Sequence, residues 1–326
     1  MALRGNWEHE TWILKNGGVR LEVASRGAVV LSWKVPTPRG PRELIDGYVD
    51  DADLASGHGA RSAVLAPWSN RIEAGRYEFD GRVYQLPTGA DGHALHGLVT
   101  GLDFALTDSG PDFLTFETRI EPSEGYPFPV KVQATYRLEE GEGGAPALAL
   151  ELSATNEGEV DAPIGLGWHP YLALTTADLA SVSLLARSSV EVDPGLIPLA
   201  GESAFSAAGR FPVCLGSLGE VELDDAFTEL EVTHAGVNAV LRGPNLDQIA
   251  LESDLPVQKR GEGIVHFYTG DTLDSRQRDS VAVEPCQFMT NAFNRPELAD
   301  SLRVAPGQST SLRARFVYLP MGSDKS

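Results

Sequence analysis

An all-β fold is what this 326-residue sequence predicts: a large, twisted antiparallel β-sandwich with few short helices. Three observations carry that expectation. Short segments alternate apolar and polar residues with a period of two, the mark of half-buried strands. Turn formers punctuate them, with 34 glycines and 21 prolines along the chain. Regular amphipathic helices do not separate the strands, as a doubly wound or barrel α/β fold would require.

In chain order, "TWILKNGGVRLEVASRGAVVLSWKV" reads as three strands joined by turns, the first turn at Asn-Gly. "GRYEFDGRVYQLP" reads as a hairpin, because Tyr77, Phe79, Val83 and Leu86 are apolar around Asp80-Gly81. That pair accepts the positive φ of a tight turn. "FLTFETRI", "VKVQATYRLEE", "ALALELSATNEG" and "SLRARFVYLP" continue the alternation, with turns at "EGEGG", "NEGE", "RGPN" and "APGQ". "TTADLASVSLLARSS" is the main helical candidate, although its Thr, Val and Ser residues favour helix weakly. No fixed repeat, low-complexity tract or dividing linker interrupts the chain, so residues 1–326 are expected to form one domain.

The composition narrows the partners. There are 46 acidic against 26 basic residues, a formal charge of −20, which disfavours nucleic acid. It weighs less heavily against an anionic substrate, since a local basic pocket can exist in an acidic protein. Cys214 and Cys286 belong to no CxxC cluster, so neither a disulfide framework nor a cysteine-based zinc site is expected. The opening "MALRGNWEHETWILKNGG" lacks a signal-peptide apolar run, and no stretch approaches the ~20 apolar residues that span a membrane. A cytoplasmic protein without a membrane partner is the expectation.

Four stretches, and a weaker fifth, draw attention chemically. In "APWSNRIEAG", Arg71, next to Asn70, offers a forked array of donors for ligand hydroxyls, or else is a plain surface arginine beside a strand. "DGHALHGLVTGLDF" holds His93 and His96 three apart between glycines. A metal needs further ligands, and in a strand positions three apart face opposite ways, so the two histidines are not expected to act together. In "IGLGWHPYLAL", His169 lies between aromatics, as a proton carrier in a sugar cleft or as a core histidine. In "SVAVEPCQFMTNAFN", Glu284 ends an apolar run, where a lone carboxylate is either paired or working. Asp224 and Asp225 of "VELDDAF", the weaker fifth patch, are adjacent acids and read as a solvated loop.

Taken in this order, "NRI", "GRYEFDGRVYQLP", "HALHGL", "HPY", "LDDAF", "VEPCQFMTNAFN" and the closing "VAPGQSTSLRARFVYLP" resemble the aldose 1-epimerase family, the galactose mutarotases. The resemblance runs from about residue 60 to about residue 318. It implies a large twisted β-sandwich with an open sugar cleft, and exchange of the α and β anomers of a free aldose without a cofactor or metal. It assigns His96 to catalysis or substrate binding, His169 to the general acid and Glu284 to the general base. Asn70, Arg71 and Asp224 become sugar contacts, and His93 takes no role. On this assignment His169 should be protonated at neutral pH, which calls for a pKa near or above its free value of ~6.5.

Two departures bear on the substrate. "HPYLAL" stands where galactose mutarotases have Tyr-Phe-Asn after the histidine, and "EPCQ" where they tend to have Glu-Pro-Gln. Both features resemble a less characterised bacterial branch. A glucose- or galactose-type sugar is the default, and a hexose-6-phosphate epimerase using Arg61 and Arg71 is the enzyme alternative. A non-catalytic carbohydrate-binding or sensing protein is the rival class, although pure binding would not need an acid and a base together. Monomer and homodimer are both open.

Overall fold

The computed structural model describes residues 3–4, 7–207, 213–233 and 236–320. Two sheets make up most of the fold, and every strand pair among the described residues is antiparallel. The larger sheet has nine strands. Within it Phe113–Ile120, Val130–Glu140, Pro146–Asn156 and Ser309–Leu319 lie side by side. "VKVQATYRLEE" shows why they form: Val130, Val132, Ala134, Tyr136 and Leu138 are all buried, one face of a period-two pattern.

The second sheet, of eight strands, carries the site. Asp224–Leu230, Glu262–Tyr268, Val281–Phe288, Gly167–His169 and Ala63–Leu65 adjoin in that order. Trp168 joins the two sheets: its fully buried ring lies 6.1 Å from Tyr136 and 5.3 Å from Phe316 of the larger sheet. This face-to-face contact is the core of a sandwich. An N-terminal sheet including Thr11–Asn16, Val19–Ala24 and Val30–Val35 adds Leu14, Leu21 and Trp33 to the same core.

The predicted hairpin pairs Arg76–Phe79 with Arg82–Gln85. Asp80 and Gly81 at its tip have φ of 50° and 71°, the left-handed pair that matches strand twist. The helix expected in "TTADLASVSLLARSS" does not form. A 3-10 turn, Ala177–Leu179, leads into strands Ser181–Leu184 and Ala186–Val190. The physical reason is that Val182 and Leu184 alternate with half-buried serines, and neighbouring strands Val213–Ser217 and Val237–Arg242 supply pairing edges on both sides. A single short α-helix among the described residues, Asp51–Ser56, lies elsewhere. Its Asp50 carboxylate accepts from the Asp53 N–H at 2.8 Å, and left-handed Gly57 ends it. No helix among these residues is long and apolar enough to cross a membrane.

Candidate active site

Strand register builds one wall of the site. In antiparallel neighbours, Cα partners project side chains to the same face. His266 is partnered with Glu284 on one side and with Ala226 on the other. One step along, Tyr268 is partnered with Ala282 and Asp224. The period of two therefore puts Asp224, His266, Tyr268 and Glu284 on one face, while Asp225, partnered with Phe267, falls on the other. Gly167 is the partner of Cys286, which brings His169, two residues on, to the same face beside Glu284.

Two loops form the opposite rim. Arg71–Ile72 pairs with Ala94–Leu95, so "NRI" and "HALHGL" are stitched together. The His96 N–H donates to the Asn70 carbonyl at 2.8 Å, and the Leu98 N–H to the Ala66 carbonyl at 2.7 Å. Asn70 and His96 both adopt left-handed backbone, with φ of 55° and 58°. Gly97 has φ of 79°, and a Cβ there would stand 2.1 Å from the Ala66 carbonyl oxygen. Gly97→Ala should therefore lower stability by more than ~1 kcal/mol in urea denaturation and displace His96. A variant as stable as the parent would show that this crossing yields easily.

These residues enclose a cleft of about 420 Å³, lined by Asn70, Arg71, His96, His169, Asp224 and Glu284 together with His266 and Tyr268. That volume lies within the range of small-molecule sites. The six side chains to which the resemblance assigns a role all line it. His93 does not share their role: its N–H donates to Asp91, and its Nδ1 accepts from the Ala74 N–H at 3.1 Å. Arg61 is not in the cleft wall. It is wholly buried and paired with Asp46, which removes it as a phosphate ligand.

His169 Nε2 lies 3.3 Å from Glu284 Oε1, and both side chains are almost completely buried. The His169 ring stacks on Tyr171 at 5.1 Å and meets the His96 ring edge-on at 5.1 Å. Arg71 is oriented by Asp91, at 3.2 Å, and by the Asn70 side-chain oxygen, at 3.1 Å. Here the expectation for His169 needs correcting. Burial draws it below the ordinary imidazole value, and the neighbouring Glu284 carboxylate offsets only part of that. His96 is held well below by burial, with His169 and Arg71 adding to the effect. The imidazole that stays charged is His266, which the sequence reading passed over. The signal was available, since "GIVHFY" places a lone histidine in an apolar strand just as "GLGWHPY" does.

The aldose 1-epimerase family model matches residues 10–317. The chain belongs to the aldose 1-epimerase family. It is an enzyme of the isomerase class. The family relationship is also seen in whole-sequence comparisons. The chain is 31% identical over 241 residues to YihR of Escherichia coli (strain K12), itself uncharacterised, covering 71% of each. It is 26% identical to the galactose mutarotase of Sus scrofa, covering 95% of this chain and 94% of that one. The fold is that of the GalM/aldose epimerase homologue from C. elegans, with a TM-score of 0.81 at 17% identity and coverage of 94% and 98%. The galactose 1-epimerase of Lactobacillus acidophilus shares it too, with a TM-score of 0.77 at 16% identity and 98% coverage of both chains.

Proposed function

We propose that this aldose 1-epimerase family member interconverts the α and β anomers of a free glucose- or galactose-type aldose, with Glu284 as base and His169 as acid. The observation that carries the reading is the 3.3 Å approach of His169 Nε2 to Glu284 Oε1 inside a cleft of hexose-accommodating size. Anomer exchange needs two proton transfers and no redox change. Glu284 takes the proton of the C1 hydroxyl while the bond from C1 to the ring oxygen breaks and the C1 carbonyl forms. The ring oxygen, strongly basic as it leaves, takes the N–H proton of His169. Rotation about C1–C2 presents the other carbonyl face, and closure returns both protons.

Burial works against charge on His169 and the Glu284 carboxylate 3.3 Å away works for it, so the imidazolium that donates to the ring oxygen depends on that carboxylate. Arg71, Asn70, His96 and Asp224 orient the ring hydroxyls. The test is the α/β ratio of freshly dissolved glucose and galactose, followed by polarimetry or NMR. Accelerated equilibration is expected, and His169→Asn should slow it by about 10²-fold or more. Relaxation of every aldose at the buffer rate would remove the reading.

One observation favours a variant on this theme. Arg26, on the turn after Val19–Ala24, lines the cleft and has no ion-pair partner among the described residues. An anionic substituent remote from C1 would find a cation there, and glucose 6-phosphate measured beside glucose separates the two substrates.

A further inference from the structure

Among the titratable groups of the cleft that take no part in the two proton transfers, His266 stands out by its neighbours. His266 is nearly buried, its Nε2 lies 2.7 Å from Asp224 Oδ1, and its strand partner on the other side is Glu284. Asp224 is the more exposed member of the pair, with 38% of its side chain accessible against 10% for His266. The carboxylate that reaches into the cleft is thus anchored from behind by the imidazole.

We propose that His266 is a positioning residue: its imidazolium clamps Asp224 and faces Glu284, so that the cleft keeps its sugar-binding arrangement only while His266 holds its proton. The inference rests on the anomer-exchange reading for its substrate but not for the clamp itself.

The charges around His266 explain why the proton stays. Asp224 faces it from one neighbouring strand and Glu284 from the other, with Tyr268 two residues along its own strand and Asp225 on the opposite face, close enough to act by charge alone. His169 lies one strand further, and Arg71 and His96 stand on the opposite rim. Burial opposes the charge on His266. Glu284, the hydrogen bond to Asp224 and the Asp224 and Asp225 charges outweigh that burial and push the group up to about 9. Reciprocally, burial would raise Asp224, but the His266 hydrogen bond and charge win and hold it below the usual carboxylate range. His266 in turn works against charge on His169 and His96. The site thereby keeps a cation between Asp224 and Glu284 and works against charge on the other two histidines.

The sign of the pH effect follows. Below about pH 9 His266 is charged and the clamp is closed; above it the proton leaves and the ion pair to Asp224 is reduced to a neutral hydrogen bond. For each further pH unit the charged fraction falls about tenfold, and apparent KM for glucose should rise in step while kcat changes less. His266→Gln should raise KM at neutral pH and abolish this alkaline rise.

The decisive measurement does not need turnover. Histidine-labelled full-length protein is titrated by NMR, with the His266 resonance identified by its loss in His266→Gln. A midpoint near 9 that moves down in Asp224→Asn supports the clamp. A midpoint at or below the ordinary value of ~6.5 overturns it. In the rate profile, a wild-type KM that stays flat through pH 10, or an alkaline rise that persists in His266→Gln, also overturns it. If no aldose is equilibrated at any pH, the proposed function fails alone, and the NMR midpoint still decides the clamp.

Discussion

Glu284→Gln is expected to slow anomer exchange by about 10²- to 10⁴-fold, the range that a positioned general base contributes. The substitution keeps the shape of a side chain that is only 3% exposed, but the amide cannot collect the C1 proton. Its effect also spreads through the cleft. Glu284 is the strongest influence holding the proton on His266, so in the variant that histidine should titrate below about 9. His169, deprived of the one carboxylate at 3.3 Å, should move still further toward neutrality. Anomer exchange read by NMR, with circular dichroism to verify folding, checks the first effect, and histidine titration checks the second. Wild-type turnover in Glu284→Gln would place the base elsewhere.

Asp46→Ala should be the most damaging single change outside the cleft, at about 3–5 kcal/mol of stability. Arg61 is fully buried and donates to Asp46, which also accepts from Arg276 at 2.8 Å and from Ser280 at 2.8 Å. Removing the carboxylate leaves the Arg61 guanidinium in the interior with no counter-charge. The damage reaches the chemistry by a short path. The Arg61 guanidinium carbon lies 4.8 Å from the centre of the Tyr171 ring, and Tyr171 stacks on His169. Activity per folded molecule should fall as well as stability. Urea denaturation with anomer exchange at a temperature where the variant is folded measures both. Asp274→Ala is the control: its carboxylate is 94% exposed and only 3.9 Å from His58, so little should change. Equal losses in the two variants would show that burial of the Asp46 network contributes nothing special.

How far the sequence reaches can be judged residue by residue. "VKVQATYRLEE" and "GRYEFDGRVYQLP" announce their strands because alternation and a turn pair are local properties. "TTADLASVSLLARSS" misleads for the opposite reason. Its propensities are mixed, and what decides the segment is the presence of edges at Val213–Ser217 and Val237–Arg242, far along the chain. Among the site residues, Arg71, His96, His169, Asp224 and Glu284 stand in recognisable short runs. His266 stands in an ordinary-looking strand, and its importance comes from register with Asp224 and Glu284, which no local window contains.

By itself the sequence determined the β-sandwich class, the positions of the main hairpins, the family and the chemical types at the cleft. These depend on side-chain period, turn chemistry and composition, all readable along the chain. Tertiary structure alone decided which charges meet. It turned Arg61 inward onto Asp46 and left Arg26 open at the rim. It also drew His169 and His96 below the ordinary imidazole value and pushed His266 up to about 9, although all three are the same residue type. Protonation is set by burial and by neighbouring charge within a few ångströms, and both arise only when distant strands are brought into register.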